Sequence, residues 1–213
     1  MGNIFGKEQP IAEKTLFGSF DGVFFEKLFS VGNINSQKDV LALMTLLSDS
    51  EIRSLMNKSI PLAAGLIDEK TQIQPDGLEL TVREIQKIVG SGAVDFDNSG
   101  REVPSGIPLP FDGDDWVRLD AGIYRILLNE TVTIPQDIAA IAQPRSSLIR
   151  SGVTLGTAVW DSGYSGRSEC LMIVHNPDGF RVRRNARILQ LLFFRLSTAA
   201  EAAYSGIYQH ENL

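Results

Sequence analysis

From Leu78 onward, short apolar stretches alternate with polar residues and are separated by Gly, Pro and Asn. Alternation with a period of two is typical of strands that bury one face, and a series of such strands favours a sandwich or a barrel. The sequence therefore predicts an all-β fold. The predicted strands are 77–82, 117–119, 122–128, 130–134, 138–143, 154–160, 170–175, 180–182 and 187–196.

Few helices are expected. Ser48 and Glu51 have the spacing of a capping box, and the apolar residues that follow share one helical face, which predicts a short helix over 48–57. Residues 83–89 suit a helical face as well as a strand. Residues 90–115 are rich in Gly and Pro, and we expect a long loop or a set of turns there.

The two ends of the chain differ from its middle. Residues 1–43 hold six of the eleven phenylalanines, and a short helix is predicted near 22–28. We interpret 1–43 as an N-terminal extension of unknown role, 44–200 as the β domain, and 201–213 as a C-terminal tail that closes on the functional site. Residues 199–203 favour a helix, and the polar tail is expected to be mobile without a ligand.

Composition excludes several classes of protein. The 213 residues carry a net charge of −6, which argues against a protein that coats nucleic acid, since counterion release needs a basic face. Cys170 is the single cysteine, so no internal disulfide can form, and with only His175 and His210 there is no tetrahedral zinc site built from Cys and His alone. No apolar run approaches the ~20 residues that span a bilayer. We expect a reduced, cytoplasmic location without membrane or nucleic-acid partners.

The segment 144–152, PRSSLIRSG, has the composition of a phosphate receptor. Arg145 and Arg150 bracket Ser146 and Ser147, and guanidinium groups, hydroxyls and the N–H groups of a helix start all bind phosphate oxygens. A helix cap with two solvated arginines explains the same residues about equally well.

The segment 157–166, TAVWDSGYSG, leads from a predicted strand into a turn. Asp161 would stand at the end of that strand, where partial burial and a hydrogen bond could hold it as an oriented base, with the flat ring of Tyr164 beside it. Taken alone, the segment is better explained as a plain hairpin turn, in which Asp and Gly are common.

Two further segments indicate a functional site more weakly. Residues 185–191, NARILQL, open a strong core strand with Gln190, whose amide needs partners if it is buried. Residues 72–80, QIQPDGLEL, contain Asp76 and Glu79, which could orient a metal or a base, although a turn explains most of this pattern.

Taken in order, these motifs resemble the deoxyuridine triphosphatase and deoxycytidine triphosphate deaminase superfamily. PRSSLIRSG resembles its phosphate-binding serine motif, VWDSGYSG its third motif, NARILQLLF its fourth and IQPDGLEL its first. LLSDSEIRSLM and YSGIYQ resemble the entry helix and the closing segment of the deaminase-like branch. The stretch AVWDSGYSGRSE is most similar to archaeal-type deoxyuridine triphosphatases.

The resemblance implies a homotrimer of distorted β-barrels, the dUTPase-like β-clip fold, with a short N-terminal helix and active sites shared between subunits. It also implies hydrolysis of dUTP to dUMP and pyrophosphate with Mg²⁺ held mainly by the substrate phosphates, which keeps uracil out of DNA. Glu79 stands where triphosphatases usually have aspartate.

The resemblance assigns a role to each candidate residue. Asp161 would deprotonate the attacking water, Tyr164 would lie against the deoxyribose and reject a 2′-hydroxyl, and backbone groups around Thr157 would read uracil. The remaining substrate-binding residues would be Arg145, Ser146, Ser147 and Arg150 on the phosphates, Gln190 in support, and Tyr208 and Gln209 from the closing tail.

One strand separates hydrolysis from deamination. Deaminases of the superfamily carry a glutamate about ten residues beyond the aspartate of the third motif, whereas either register here selects an apolar residue, Leu171 or Ile173. Glu169 is the nearest acid. The main hypothesis is therefore a dUTP diphosphatase; the alternatives are a dCTP deaminase, a bifunctional enzyme, or a nucleotide-binding regulator that has lost catalysis.

Overall fold

The computed structural model describes residues 45–213, so the extension 1–43 and the helix predicted near 22–28 lie outside the described residues. The helices of this part are α1 (Asp49–Met56), α2 (Glu69–Gln72) and α3 (Ser146–Arg150). Its strands are β1 (Ala63–Ala64), β2 (Ile73–Gln74), β3 (Gly77–Val89), β4 (Ser105–Pro108), β5 (Trp116–Leu119), β6 (Gly122–Leu128), β7 (Thr131–Thr133), β8 (Ile138–Pro144), β9 (Val153–Gly156), β10 (Ser165–Gly166), β11 (Glu169–Val174), β12 (Phe180–Arg183) and β13 (Arg187–Arg195).

The long strand β3 organises the sheet because it changes partner along its length. Its first residues pair with β13, and its later residues pair with β6 and β4, with a bulge between Val82 and Glu84. A bulge bends a strand and increases its twist. The main sheet, in the order β8-β13-β3-β6-β11-β9, therefore curves, and the small sheets β1-β7-β10 and β12-β5 complete the wall.

The curved sheets enclose one apolar core. Along β6 and β11 every second side chain is buried, as the alternating sequence pattern predicts. Fully buried side chains come from most of the other strands as well, among them Leu80, Val132, Ile138 and Phe193. Each such burial contributes about 1.5–3 kcal/mol relative to exposure. The result is a mostly β, nearly closed barrel, which confirms the predicted fold class.

The helix predicted over 48–57 is confirmed as α1. The Glu51 carboxylate accepts hydrogen bonds from the N–H and the hydroxyl of Ser48, both at 3.1 Å, so the chain turns into the helix at this pair. Ile52 is completely buried and anchors α1 to the barrel. Within residues 45–213, no helix is both long enough and apolar enough to cross a bilayer.

Most predicted strands agree with the structure to within one residue at each end, and β6 coincides with the predicted 122–128. The ambiguous residues 83–89 continue β3, because their backbone groups pair with β6 and β4. The strand predicted over 154–160 is wrong beyond Gly156. There the chain leaves β11, and Trp160 instead exchanges two backbone hydrogen bonds with Ala140 of β8, at 2.9 and 3.0 Å.

Two other expectations need correction. The region 90–115 is more regular than a loop, because it contains β4, and Ala93 pairs with Glu102 in an isolated bridge. Residues 199–203 do not form a helix. Instead of bonding within a helical turn, the backbone N–H of Ala200 donates to the carbonyl of Gln136 at 2.9 Å.

Candidate active site

Six of the ten predicted site residues line two clefts of the described chain. The arginine cleft has a volume of about 450 Å³, and the aspartate cleft one of about 380 Å³. Within residues 45–213, no residue lines both. The arginine cleft is lined by Glu79, Arg145, Ser146 and Gln190 among others, and the aspartate cleft by Arg125, Asp161, Tyr164, Glu169, Tyr208 and Glu211 among others.

The arginine cleft forms where β8 ends and α3 begins. Pro144 closes β8, since it has no N–H to continue the ladder, and Arg145 takes the N-cap position of α3 with extended backbone angles of φ −64° and ψ 144°. The N–H of Arg145 donates to the carbonyl of Ile188 at 2.9 Å, which fixes the helix start beside β13. Ser146 follows in the first turn and reaches the same cleft.

Glu79 is the electrostatic centre of this cleft. Its Oε1 lies 2.5 Å from Nε of Arg145, and its Oε2 lies 2.6 Å from Nη1 of Arg187. The residue is 5% exposed, and the register of β3 and β13 places it opposite Gln190. Because charge-assisted pairs of this kind are short and directional, one buried carboxylate holds two guanidinium groups in fixed positions.

Ser147 and Arg150 do not line the arginine cleft. Both are exposed on α3, at the first and the last turn of this short helix. A ligand in the cleft would meet them only if it extended over the helix surface.

The aspartate cleft is built on the turn that follows Trp160. Asp161 is exposed, and its carbonyl accepts the N–H of Tyr164 at 3.0 Å. Gly163 has φ +85°, and a Cβ at this position would lie 2.5 Å from Cβ of Ala203, so a glycine is required in both respects. The turn therefore presents the Asp161 side chain to the cleft from a well-fixed backbone.

Tyr164 lines the cleft with little of its surface exposed. Its side chain is 5% exposed, and Tyr204 packs edge-on against the ring with centroids 5.8 Å apart. The Tyr164 hydroxyl lies 2.9 Å from Oγ of Ser168 and donates to Glu211 at 2.8 Å. Burial is the main cause that raises the pKa of Tyr164, and the neighbouring Glu211 carboxylate adds to it, so the phenol stays protonated.

The C-terminal tail lies against this turn. The Gln209 side chain accepts the N–H of Ser165 and donates to the carbonyl of Gly163, both at 2.9 Å. Gln209 thus clamps the tail, whereas Tyr208 lines the cleft. Thr157 is half-buried and lines neither cleft. The mobility of the tail without a ligand stays a prediction.

The three residues that the sequence analysis compared for hydrolysis and deamination lie on β11. Glu169, Leu171 and Ile173 alternate with buried residues and so share its outer face. Of the three, Glu169 lines the aspartate cleft, where its Oε2 lies 3.4 Å from Nε of Arg125. The nearest acid found in the sequence therefore shares a cleft with Asp161.

A buried carboxylate that the sequence did not single out, Glu130, is linked to Glu79 of the arginine cleft through the Gln72 side chain. Glu130 is completely buried and accepts hydrogen bonds from the N–H and hydroxyl of Thr81, at 2.9 and 2.6 Å, and from Nε2 of Gln72 at 2.6 Å. Gln72 also donates to the carbonyl of Glu79 at 2.9 Å. Burial raises the pKa of Glu130, and the three hydrogen bonds oppose this shift.

The described residues contain no cluster of three or more His, Cys, Asp or Glu side chains suited to a metal ion. Mg²⁺ is commonly held by one or two carboxylates together with substrate phosphates and water, and does not need a complete protein cage. Exposed carboxylates that could serve as such ligands line both clefts, Asp76 in the arginine cleft and Asp161 in the aspartate cleft.

Comparison with known proteins gives consistent matches. A sequence profile of the dCTP deaminase-like family matches residues 46–196. The chain is 57% identical over 170 residues to the probable deoxyuridine 5'-triphosphate nucleotidohydrolase of Methanococcoides burtonii, an alignment that covers 80% of this chain and 100% of that one. It is 41% identical over 142 residues to the deoxyuridine 5'-triphosphate nucleotidohydrolase of Methanocaldococcus jannaschii, covering 66% of this chain and 89% of that one.

Among solved structures, the fold is similar to that of the 2'-deoxycytidine 5'-triphosphate deaminase from Agrobacterium tumefaciens. The TM-score is 0.55 at 24% identity, and the match covers 71% of this chain and 48% of that one. At this identity the likeness concerns the fold alone.

Proposed function

Because the chain belongs to the dCTP deaminase-like family, we propose that it is a dUTP diphosphatase, which hydrolyses dUTP to dUMP and pyrophosphate. The observation that carries this proposal is the aspartate cleft, where an exposed carboxylate, Asp161, stands on a fixed turn beside Tyr164. The high identity to relatives named as deoxyuridine triphosphate nucleotidohydrolases supports the same substrate.

The proposed reaction is attack of water on the α-phosphorus. Asp161 accepts a proton from the water, whose oxygen forms the new bond to phosphorus. The bond to the bridging oxygen breaks, and pyrophosphate leaves with that electron pair. A magnesium ion held by the substrate phosphates would spread their negative charge.

We propose that the arginine cleft holds the phosphates. Arg145 and Ser146 offer a fixed guanidinium group and a hydroxyl, with Gln190 beside them. Ser147 and Arg150 would contact a phosphate that extends over α3. Glu79 would act by holding Arg145, which gives the glutamate at this position a physical role.

The nucleoside would be bound by the aspartate cleft. The flat ring of Tyr164 would lie against the deoxyribose, and backbone groups around Thr157 would read the edge of uracil. Tyr208 lines the same cleft, and Gln209 fixes the tail that carries it, so the tail would help exclude water.

We further propose that each active site is shared between subunits of a homotrimer. Among residues 45–213 the two clefts share no lining residue, although the proposed hydrolysis needs the base of one and the phosphate ligands of the other. A symmetric oligomer can solve this by joining the aspartate cleft of one subunit to the arginine cleft of its neighbour. The division into extension, β domain and tail, and a cytoplasmic location, remain part of this proposal.

A second candidate is dCTP deamination, favoured by one observation. Glu169 lines the aspartate cleft and lies on the same face of β11 as Leu171 and Ile173. An acid at this place could move protons at a cytosine ring, where water adds and ammonia leaves.

A side-by-side assay separates these functions. The purified full chain is incubated with dUTP or dCTP and magnesium, and pyrophosphate and ammonia are measured in each reaction. We expect pyrophosphate from dUTP and no ammonia from dCTP. Ammonia from dCTP would establish a dCTP deaminase or a bifunctional enzyme. No product from either nucleotide would favour a nucleotide-binding protein without catalysis.

A further inference from the structure

Four side chains of the aspartate cleft form one continuous hydrogen-bonded series. Nε1 of Trp160 lies 2.6 Å from Oγ of Ser168, which lies 2.9 Å from the Tyr164 hydroxyl, which lies 2.8 Å from Oε1 of Glu211. Trp160 and Tyr164 flank Asp161 in the sequence, whereas Glu211 belongs to the tail. The series therefore connects the tail to the residues on both sides of the proposed base.

The direction of every hydrogen bond in this series is determined by chemistry. The indole N–H of Trp160 can only donate, so Ser168 accepts it. Because Tyr164 has a single hydrogen and donates it to the Glu211 carboxylate, the Ser168 hydroxyl donates to the Tyr164 oxygen. The Tyr164 hydrogen then goes to Glu211, which is the final acceptor. Trp160, Tyr164 and Ser168 are each about 5% exposed or less, so water cannot easily replace an acceptor that is lost.

The position of Glu211 is fixed by contacts that do not involve its own side chain. The backbone carbonyl of Glu211 accepts the N–H of Arg167 at 3.0 Å, and the side chains of Arg167 and Asn212 each bond to the backbone carbonyl of the other, both at 3.0 Å. With the Gln209 clamp, the tail is held on both sides of Glu211. The docked tail thereby places the Glu211 carboxylate beside the Tyr164 hydroxyl.

We propose that Glu211 is a positioning residue, which sets the rings of Tyr164 and Trp160 around Asp161 by accepting the last hydrogen bond of the series. The inference deepens the proposed function and rests on it for its catalytic consequence. Loss of the acceptor leaves Ser168 as the one remaining partner of the buried Tyr164 hydroxyl, so the Tyr164 hydrogen loses the acceptor that fixes its direction. The ring then moves, and the turn holds Asp161 less firmly for attack on the α-phosphorus.

Three variants of the full chain test the proposal. Glu211→Ala removes the acceptor, Glu211→Gln keeps an acceptor oxygen but loses the charge, and Glu201→Ala changes an exposed glutamate of the same terminal segment as a control. Each is assayed for kcat and KM with dUTP, and its tryptophan emission is recorded in a Trp116→Phe background, where Trp160 is the single reporter.

We expect Glu211→Ala to lower kcat on the order of tenfold, the factor typical of one hydrogen bond to a charged group, and to shift Trp160 emission. Glu211→Gln should rescue both readouts to within about twofold, and Glu201→Ala should match the parent. A Gln variant as impaired as the Ala variant, or an Ala variant with unchanged emission, would overturn the proposal.

The two readouts also separate this inference from the proposed function. If the parent protein releases no pyrophosphate from dUTP, the function is wrong, whereas the emission of Trp160 in the Ala and Gln variants still tests whether Glu211 terminates the series.

Discussion

The two clefts of this chain are built in different ways. The arginine cleft lies on regular strands and the start of a helix. One buried carboxylate, Glu79, fixes the guanidinium groups of Arg145 and Arg187. The aspartate cleft lies on an irregular turn that a tail covers, and it gathers three acids, Asp161, Glu169 and Glu211, with Arg125 as their basic neighbour. The first offers guanidinium and hydroxyl ligands for phosphate, and its exposed aspartate is Asp76, on the turn between β2 and β3. The second offers the base, but its acids would repel a triphosphate.

We infer from this difference that neither cleft alone is the complete site of the proposed hydrolysis. A triphosphate needs guanidinium and hydroxyl ligands, and its α-phosphorus needs an oriented water beside an aspartate. Within one chain these groups belong to separate cavities. The proposed sharing of sites between subunits rests on this separation, whereas the number of three subunits comes from the family resemblance. The predictions below test each cleft.

The largest effect on kcat is expected from replacing the proposed base, Asp161, in the aspartate cleft. Asp161→Asn removes the proposed base while keeping the size and most of the hydrogen bonding of the side chain, so kcat should fall on the order of 10³-fold with dUTP binding retained. Pyrophosphate release and calorimetric titration measure the two quantities. Asp178→Asn, at another exposed aspartate, is the matched control and should match the parent. Survival of activity in Asp161→Asn would show that another group is the base.

The separation of the clefts can be tested by mixing subunits. Asp161→Asn spoils one cleft and Arg145→Ala the other, so each homotrimer should be nearly inactive. If neighbouring subunits share sites, every trimer that contains both kinds of subunit has one intact pair of clefts, which is about a third of its sites. Co-expression with two affinity tags and an assay of the doubly purified species measures this recovery. No recovery above the parents would place both clefts of a site in one subunit.

The sequence predicted the strands better than the contacts between segments that are distant in the chain. Strand β6 was predicted to the residue because its alternation reflects one buried face. Trp160 was misplaced because its partner, Ala140, lies on a distant strand that a local pattern cannot reveal. The motifs found Arg145 and Asp161, yet Glu130 and Glu211 were missed. Their hydrogen-bond partners Thr81 and Tyr164 are 49 and 47 residues away in the chain.

A smaller effect, on stability and not on catalysis, is expected from replacing the buried carboxylate Glu130. Glu130→Ala leaves the donors of Thr81 and Gln72 without their acceptor, which should lower the free energy of unfolding by about 2–4 kcal/mol. Urea denaturation measures this value. An equal loss in Glu69→Ala, which changes an exposed glutamate paired with Arg53 on the surface, would contradict the assigned role of the buried network.

The pH dependence of stability gives a finer test of Glu130. Its pKa is raised in the folded state, so folded protein binds the proton more tightly than unfolded protein. The stability from this group is therefore complete below the unfolded pKa of 4.5 and is lost as pH rises through the raised value. Glu130→Gln cannot titrate, so its Tm relative to that of the parent should increase with pH across this window. A constant difference would show that Glu130 titrates alike in both states.

The smallest effect is expected from removing residues 1–43. Both clefts, the tail and the apolar core are formed within residues 45–213, and the family match begins at residue 46. A chain that starts at Met44 should therefore keep its oligomeric state and its kcat with dUTP to within about twofold. Light scattering and pyrophosphate release measure these properties. If the shortened chain is insoluble or inactive, the phenylalanine-rich extension contributes to the fold, and the comparison of the two clefts must include it.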